Sequence, residues 1–132
     1  MQFLRFTWGL WVLIFVCCAL GCTSKSVESY RPSNDSARKA IETALSTWKA
    51  GTKHGSITSV KPSLDVFDAR WQAGTKLEDF KILEEISGKP QPHFKVKLKL
   101  EGKPEETTEY LVIGIDPLLI FRKADYDKAT GI

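Results

Sequence analysis

His93-Phe94-Lys95-Val96-Lys97-Leu98-Lys99-Leu100-Glu101 alternates without a break. Phe94, Val96, Leu98 and Leu100 fall on one side, and Lys95, Lys97, Lys99 and Glu101 fall on the other. A period of two over nine residues is the mark of a strand with one dry and one wet face, as in an antiparallel sheet covered on one side. Working outward, Glu101-Gly102-Lys103-Pro104 reads as a turn. Thr107–Ile115 then alternates less strictly and becomes apolar on both faces, as a central strand does. Asp116-Pro117 turns the chain again, and Leu118–Lys123 reads as the last strand. Upstream, the period of two begins at Leu77, where Phe80 and Ile82 alternate with Asp79 and Lys81. Residues 124–132 read as a loose tail.

N-terminal to these strands the period changes to that of a helix. Ala37, Ala40, Ile41, Ala44, Leu45 and Trp48 recur at three-and-four spacing, which predicts a helix over Ala37–Ala50. Ser33, Asn34, Asp35 and Ser36 offer N-caps, and Gly51 stands where a left-handed C-cap belongs. After a loop over Thr52–Pro62, Ser63 can cap a second, shorter helix, Leu64–Gln72, with Leu64, Phe67 and Trp71 as its stripe and Gly74 beyond it. Helices followed by strands joined through tight turns predict an α+β domain: one long and one short helix packed on a four-stranded antiparallel sheet. No internal repeat is visible.

The first residues carry a different signal. Met1–Arg5 holds one positive charge, Phe6–Gly21 has none in sixteen positions, and Ala19-Leu20-Gly21 leads into Cys22. These are the charged, apolar and small-residue regions of a secretory leader. Gly21-Cys22 is also the pair that lipoprotein processing needs, with the Cys22 thiol accepting the diacylglyceryl group. Ala19 and Leu20 stand in the reverse of the usual lipobox order. An uncharged run of sixteen residues is short for a membrane-crossing helix, which needs about 20. The reading divides the chain into a leader over 1–21, a flexible Ser-rich tether over 22–36, a domain over 37–123 and the tail over 124–132. It places the protein on a cell membrane or outer membrane, with the domain facing the periplasm or the exterior.

Composition narrows the function further. The chain has 132 residues, 42% hydrophobic and 27% charged, which suits one globular domain. Net charge is +3, falling to +2 without residues 1–21, which remove Arg5 alone. That is too mild and too dispersed for a nucleic-acid partner. Cys17, Cys18 and Cys22 are the only cysteines, so the domain has no disulfide framework and no Cys-based metal site.

The domain resembles a group of small predicted lipoproteins of planctomycete-type bacteria. The resemblance lies in Ala44-Leu45 with Trp48-Lys49-Ala50-Gly51, in Trp71-Gln72-Ala73-Gly74 with Leu77, Asp79, Phe80 and Ile82, and in Tyr110-Leu111-Val112 with Pro117 and Phe121-Arg122. It covers most of residues 37–123 and implies no activity. More remotely, the helix-then-sheet order is similar to cystatin-like and NTF2-like folds. Those folds host enzymes, binding modules and assembly domains alike and so assign no function.

A search for chemistry yields little. His54 and His93 have no second ligand at metal spacing, and they read as surface histidines. Glu84 and Glu85 point to opposite faces of a strand. Asp65 and Asp68 read as charges on the surface of the short helix. Ser56, Ser59 and Ser63 lack a nucleophile elbow, and the glycines form no phosphate-cradling loop. The expectation is a non-enzymatic envelope lipoprotein without a cofactor. Its partners are the lipid bilayer, through the anchor, and an unknown envelope protein. The competing expectation is an NTF2-like small-ligand module whose pocket is lined by Phe67, Trp71, Phe80 and Tyr110. Lys95, Lys97 and Lys99 form a row that could touch an anionic surface.

Overall fold

The computed structural model describes residues 31–131. The leader, Cys22 and most of the tether lie outside them. The chain runs α1 (Asn34–Lys49), β1 (Ser56–Ile57), β2 (Leu64–Phe67), α2 (Ala69–Gln72), β3 (Leu77–Ile86), β4 (His93–Leu100), β5 (Glu106–Ile113), β6 (Leu118–Arg122) and α3 (Lys123–Thr130). The strands form one sheet in the order β1-β2-β6-β5-β4-β3. All neighbours are antiparallel except β2 and β6, which run parallel.

The α+β class stands. The count of four strands, the pair of helices and the cystatin-like or NTF2-like assignment do not. Leu64–Gln72 is not one helix. Leu64 and Val66 alternate inward as a strand, and they pair with Leu118 and Ile120 of β6. Asp68 is extended (φ −132°, ψ 112°), and its side chain caps a helix that begins only at Ala69. Local spacing suggested a helix because Leu64, Phe67 and Trp71 happen to fall three and four apart. The parallel pairing that overrides it comes from residues more than fifty positions away. The tail is also structured: Lys123–Thr130 forms α3, closed by Gly131 in the left-handed region (φ 74°).

Helix α1 starts three residues before the apolar stripe, because Ser33 is the cap. Its side chain accepts the Ser36 amide at 3.1 Å and its carbonyl accepts the Ala37 amide at 2.9 Å. The stripe then behaves as expected: Ala37, Ala40, Ile41, Ala44, Leu45 and Trp48 are all buried. Opposite them lie Phe94, Val96, Leu98 and Leu100 of β4 with Tyr110, Val112, Leu118 and Ile120 of the neighbouring strands. Each large aliphatic side chain so buried contributes roughly 1.5–3 kcal/mol. This single helix-on-sheet layer is the core.

The other sheet face is divided. On β3 and β4 it carries charges. Towards β6 and β2 it is apolar: Phe67 pairs with Phe121 and Phe121 with Leu111. There α3 packs on β5 and β6, and Tyr126 meets Phe121 edge-on with ring centroids 5.4 Å apart.

The two ends of the sheet differ in what they carry. At one end lie the β1–β2, β3–β4 and β5–β6 connections, as the pairs Ile57–Leu64, Ile86–His93 and Ile113–Leu119 require. Helix α1 begins there, with Asn34 hydrogen-bonded to Glu85 at the end of β3. It ends at the opposite edge, where Lys49 meets Asp79 and Leu77 pairs with Leu100. Sixteen residues at 1.5 Å each separate the two ends by about 24 Å.

Candidate functional site

Helices α1 and α2 finish in the same way, on five-residue segments that are identical except at the second position: Trp48-Lys49-Ala50-Gly51-Thr52 and Trp71-Gln72-Ala73-Gly74-Thr75. In each, the alanine is the C-cap and the glycine takes a φ of +89°. The glycine amide bonds the tryptophan carbonyl, at 2.9 and 3.0 Å. The threonine amide reaches back five residues, to Thr47 at 3.3 Å and to Arg70 at 3.0 Å. This is the Schellman closure, and the positive φ explains why glycine stands there.

The two ends lie against one another. The Trp48 and Trp71 rings stack at 5.6 Å with an interplanar angle of 13°. Trp48 Nε1 donates to the Thr75 carbonyl at 2.8 Å, and Trp71 Nε1 donates to the Thr52 carbonyl at 2.9 Å. Both indoles are buried, so each needs that acceptor.

Beside the stacked pair is an open groove with a volume of about 810 Å³. Its walls include Thr52, His54, Thr75, Lys53, Lys76 and Glu101. The His54 ring stands edge-on to Trp71 (5.4 Å, 87°), and its Nε2 is buried without a hydrogen-bond partner among the described residues. Lys49, which lines the groove, donates a hydrogen bond to Asp79 at 3.2 Å and holds that carboxyl below the usual range, assisted by the Phe80 amide. Lys53, Lys76 and Glu101 take part in none of the ion pairs among the described residues. The groove therefore offers a mixed polar rim over an aromatic floor, with the His54 ring in its wall.

A second polar cluster lies behind Trp71. Asp68 is 1% exposed. Its Oδ1 accepts the Arg70 amide at 2.9 Å, and its Oδ2 accepts the Tyr110 hydroxyl at 2.5 Å. Arg70 bridges Asp68 and Glu106. Asp125 of α3 accepts the Ala69 amide at 3.0 Å and both Nε and Nη2 of Arg122, at 2.9 and 2.6 Å. Burial pushes the Tyr110 hydroxyl well above its ordinary pKa, and the Asp68 charge adds to this. Burial also opposes ionisation of Asp125. The Arg122 and Ala69 hydrogen bonds outweigh it, and that carboxyl is held low. The cluster ties α2, β5 and α3 together. A phenol held protonated against a buried carboxylate is a poor base or nucleophile at neutral pH, so we read the cluster as a buckle rather than a reactive centre.

The aromatic residues expected to share a pocket are dispersed. Trp71 lines the groove. Tyr110 is in the core on Asp68. Phe80 is half-buried on β3, packed against the core's edge. Phe67 is 42% exposed on the far face, stacked on Phe121 at 4.6 Å. The lysine row is present on the wet face, but each member meets a glutamate: Lys95 with Glu84 at 3.2 Å, Lys97 with Glu105 at 3.1 Å and Lys99 with Glu78 at 3.6 Å. Asp65 and Asp68, expected on one helix surface, are separated. Asp65 sits on β2 and accepts the Ser56 hydroxyl at 2.5 Å, while Asp68 is buried. His93 is buried rather than superficial, with Nδ1 2.7 Å from the Gln91 carbonyl.

Sequence reasoning missed His54 and the pairing of the two tryptophans. The signal was available in the five-residue identity, apart from its second position, of the two helix ends. Among the described residues no group of three His, Cys, Asp or Glu side chains is placed to hold a metal ion, and no helix is long and apolar enough to cross a membrane. A scan against protein-family models, a search of curated proteins and a search of solved structures each return no match.

Proposed function

We propose that this chain is a lipid-anchored lipoprotein of a bacterial envelope, and that its domain works by binding through the Trp48–Trp71 groove rather than by catalysis. The anchor part of the reading rests on the leader over 1–21 and on Cys22 directly after it. The binding part rests on one geometric observation: the groove opens at the opposite end of α1 from the point where the tether reaches the domain. A domain tethered at one end presents its other end to soluble or partner molecules of the envelope space. The polar rim suits a protein surface or a small polar ligand better than an apolar one.

The anchor is tested by mass spectrometry of the native protein and by fatty-acid labelling of wild type and Cys22→Ser. Wild type is expected to start at an acylated Cys22, and the variant to accumulate unprocessed. The groove is tested by affinity capture from solubilised envelopes with wild type and with Lys53→Glu/Lys76→Glu. Capture of the same partners by both would exclude the groove as the contact surface.

A small-ligand role is the second reading. The place of His54 in the groove wall favours it: its ring stands edge-on to Trp71, and a ligand that shifts the ring would gain a hydrogen bond to Nε2, which has no partner among the described residues. The mature chain would hold only two tryptophans, Trp48 and Trp71. Its fluorescence on selective tryptophan excitation therefore reports on this groove alone, and ligand screening by that signal separates the two readings.

A further inference from the structure

From the placement of apolar residues around the tether's point of attachment, we infer that the end of the sheet formed by the β5–β6 turn and the β1–β2 loop is the surface that rests on the lipid bilayer. This inference builds on the lipid-anchor reading.

The most exposed large hydrophobic residue among those described is Ile115, at 52%. It sits at the tip of the β5–β6 turn. Ile113 and Leu119 lie half-exposed below it on the strands, and Val60 and Pro62 lie half-exposed in the adjacent loop. Ile115, Val60, Pro62 and Lys61 line one shallow depression. The turn is held in shape: Gly114 has a φ of +89°, and a Cβ there would lie 2.9 Å from the Pro117 carbonyl oxygen. Ile115, Val60 and Pro62 share one surface, and clustered rather than single exposed apolar side chains mark a contact site.

Chain length favours the bilayer as that cover. Thr23–Tyr30, eight residues, separate Cys22 from Arg31. Eight residues reach no further than roughly 30 Å when fully extended. They join the domain at the end where Ile115 lies, since Asn34 is bonded to Glu85 there. Turning the other end to the membrane would require the tether to run the length of α1, about 24 Å, leaving almost no slack. With the Ile115 end down, the apolar tip and Lys61 meet the interface, where a short apolar wedge and a cation are both favourable. Asp116 is the one acidic residue of that depression.

The test uses the full, processed protein in vesicles of phosphatidylcholine and phosphatidylglycerol. Lipid modification occupies the Cys22 sulfur, and Cys17 and Cys18 leave with the leader, so an introduced cysteine is the only free thiol. An environment-sensitive fluorophore is attached to Ile115→Cys, to Val60→Cys as a second reporter, and to Lys103→Cys at the opposite end. Nitroxide-bearing lipids are expected to quench the Ile115→Cys and Val60→Cys labels several-fold more than the Lys103→Cys label. Equal quenching at the two ends, or none at Ile115→Cys, overturns the inference. So does an Ile115→Cys label shielded in crude envelopes yet unquenched in pure vesicles, which would mean that a protein covers the tip. Mass spectrometry on the same samples keeps the two proposals apart: an acylated Cys22 with an unquenched tip removes only this inference, and an unmodified Cys22 removes the anchor itself.

Discussion

Trp48 and Trp71 are each anchored by the residue that closes the other's helix, because the Trp48 indole donates to the Thr75 carbonyl and the Trp71 indole donates to the Thr52 carbonyl. The two rings lie parallel between these bonds. The arrangement is reciprocal: disturbing either helix end removes an acceptor from the opposite ring as well as a stacking partner. Trp48→Ala and Trp71→Ala are each expected to destabilise the domain by about 3–5 kcal/mol, the usual cost of emptying a buried aromatic site. The double variant should cost less than the sum of the two, since each removes part of what the other ring holds. Chemical denaturation of the four species of this cycle gives the coupling directly. Strict additivity would show that the rings act independently.

Gly51 and Gly74 follow from the same geometry. Both have a φ of +89° with open space around the missing Cβ, so the cost of alanine there is conformational rather than steric. Gly51→Ala and Gly74→Ala should each lower stability by roughly 1–2 kcal/mol. Asn, which tolerates the left-handed region better, should cost less at both positions. Equal losses for Ala and Asn, measured by thermal unfolding, would point to crowding instead.

The contrast between β4 and β2 shows how far a sequence can be read locally. Residues His93–Leu100 form a strand with one wet face, so their period of two is complete and visible. Leu64–Phe67 has apolar residues on both faces, Val66 towards the core and Phe67 against Phe121. That erases the alternation, and only the distant partner β6 decides the structure. Helix α3 was illegible for the opposite reason. None of its residues is fully buried, and it is held by Tyr126 against Phe121 and by Asp125 on Arg122 and the Ala69 amide, so it shows no apolar stripe. The groove was half-legible. Its glycines and tryptophans are in plain view, whereas the burial of His54 Nε2 depends on how a loop folds over Trp71.

The buckle around Asp68 makes alkaline stability depend on Tyr110. Its pKa is raised in the folded protein, so its contribution is fully present below the ordinary tyrosine value, about 10, and is lost as pH rises through the folded value. Tyr110→Phe should remove that alkaline loss. It should also lower stability at neutral pH by about 1–3 kcal/mol, because the Asp68 carboxylate keeps its burial and loses a donor. Unfolding measured from pH 7 to 11 on both proteins checks the two effects together.

Asp125 has the opposite sign. Its folded pKa lies below the ordinary carboxylate value, near 3.9, so its contribution is present above that pH and is lost as pH falls through the folded value. Asp125→Asn should therefore flatten the acid limb of the stability curve. It should also loosen α3, because Arg122 and the Ala69 amide both lose a charged acceptor. Hydrogen exchange at the Ala69 amide is the direct reading: its protection factor, the rate corrected for the intrinsic pH dependence, should fall in the variant at pH 7 and in wild type only as pH drops below the ordinary carboxylate value.

The lysine row supplies a last expectation, one that separates a cationic surface from a neutralised one. Lys95, Lys97 and Lys99 are partly exposed and each lies within 3.6 Å of a glutamate carboxylate. Such pairs contribute at most about 1 kcal/mol each. They also cancel most of the field that would draw the face towards anionic lipid. Replacing all three lysines by glutamate should therefore lower stability modestly, through repulsion from Glu78, Glu84 and Glu105. It should leave attachment to phosphatidylglycerol vesicles, which the proposed acyl chains would dominate, unchanged within error. Reversing Glu78, Glu84 and Glu105 to lysine is the complementary measurement. If the row were a membrane contact held in check by its partners, that variant in the Cys22→Ser background would bind anionic vesicles more tightly than Cys22→Ser alone. A gain confined to the reversed-glutamate protein would show that these carboxylates restrain the face, and loss of binding in the reversed-lysine protein would show that the lysines themselves hold the membrane.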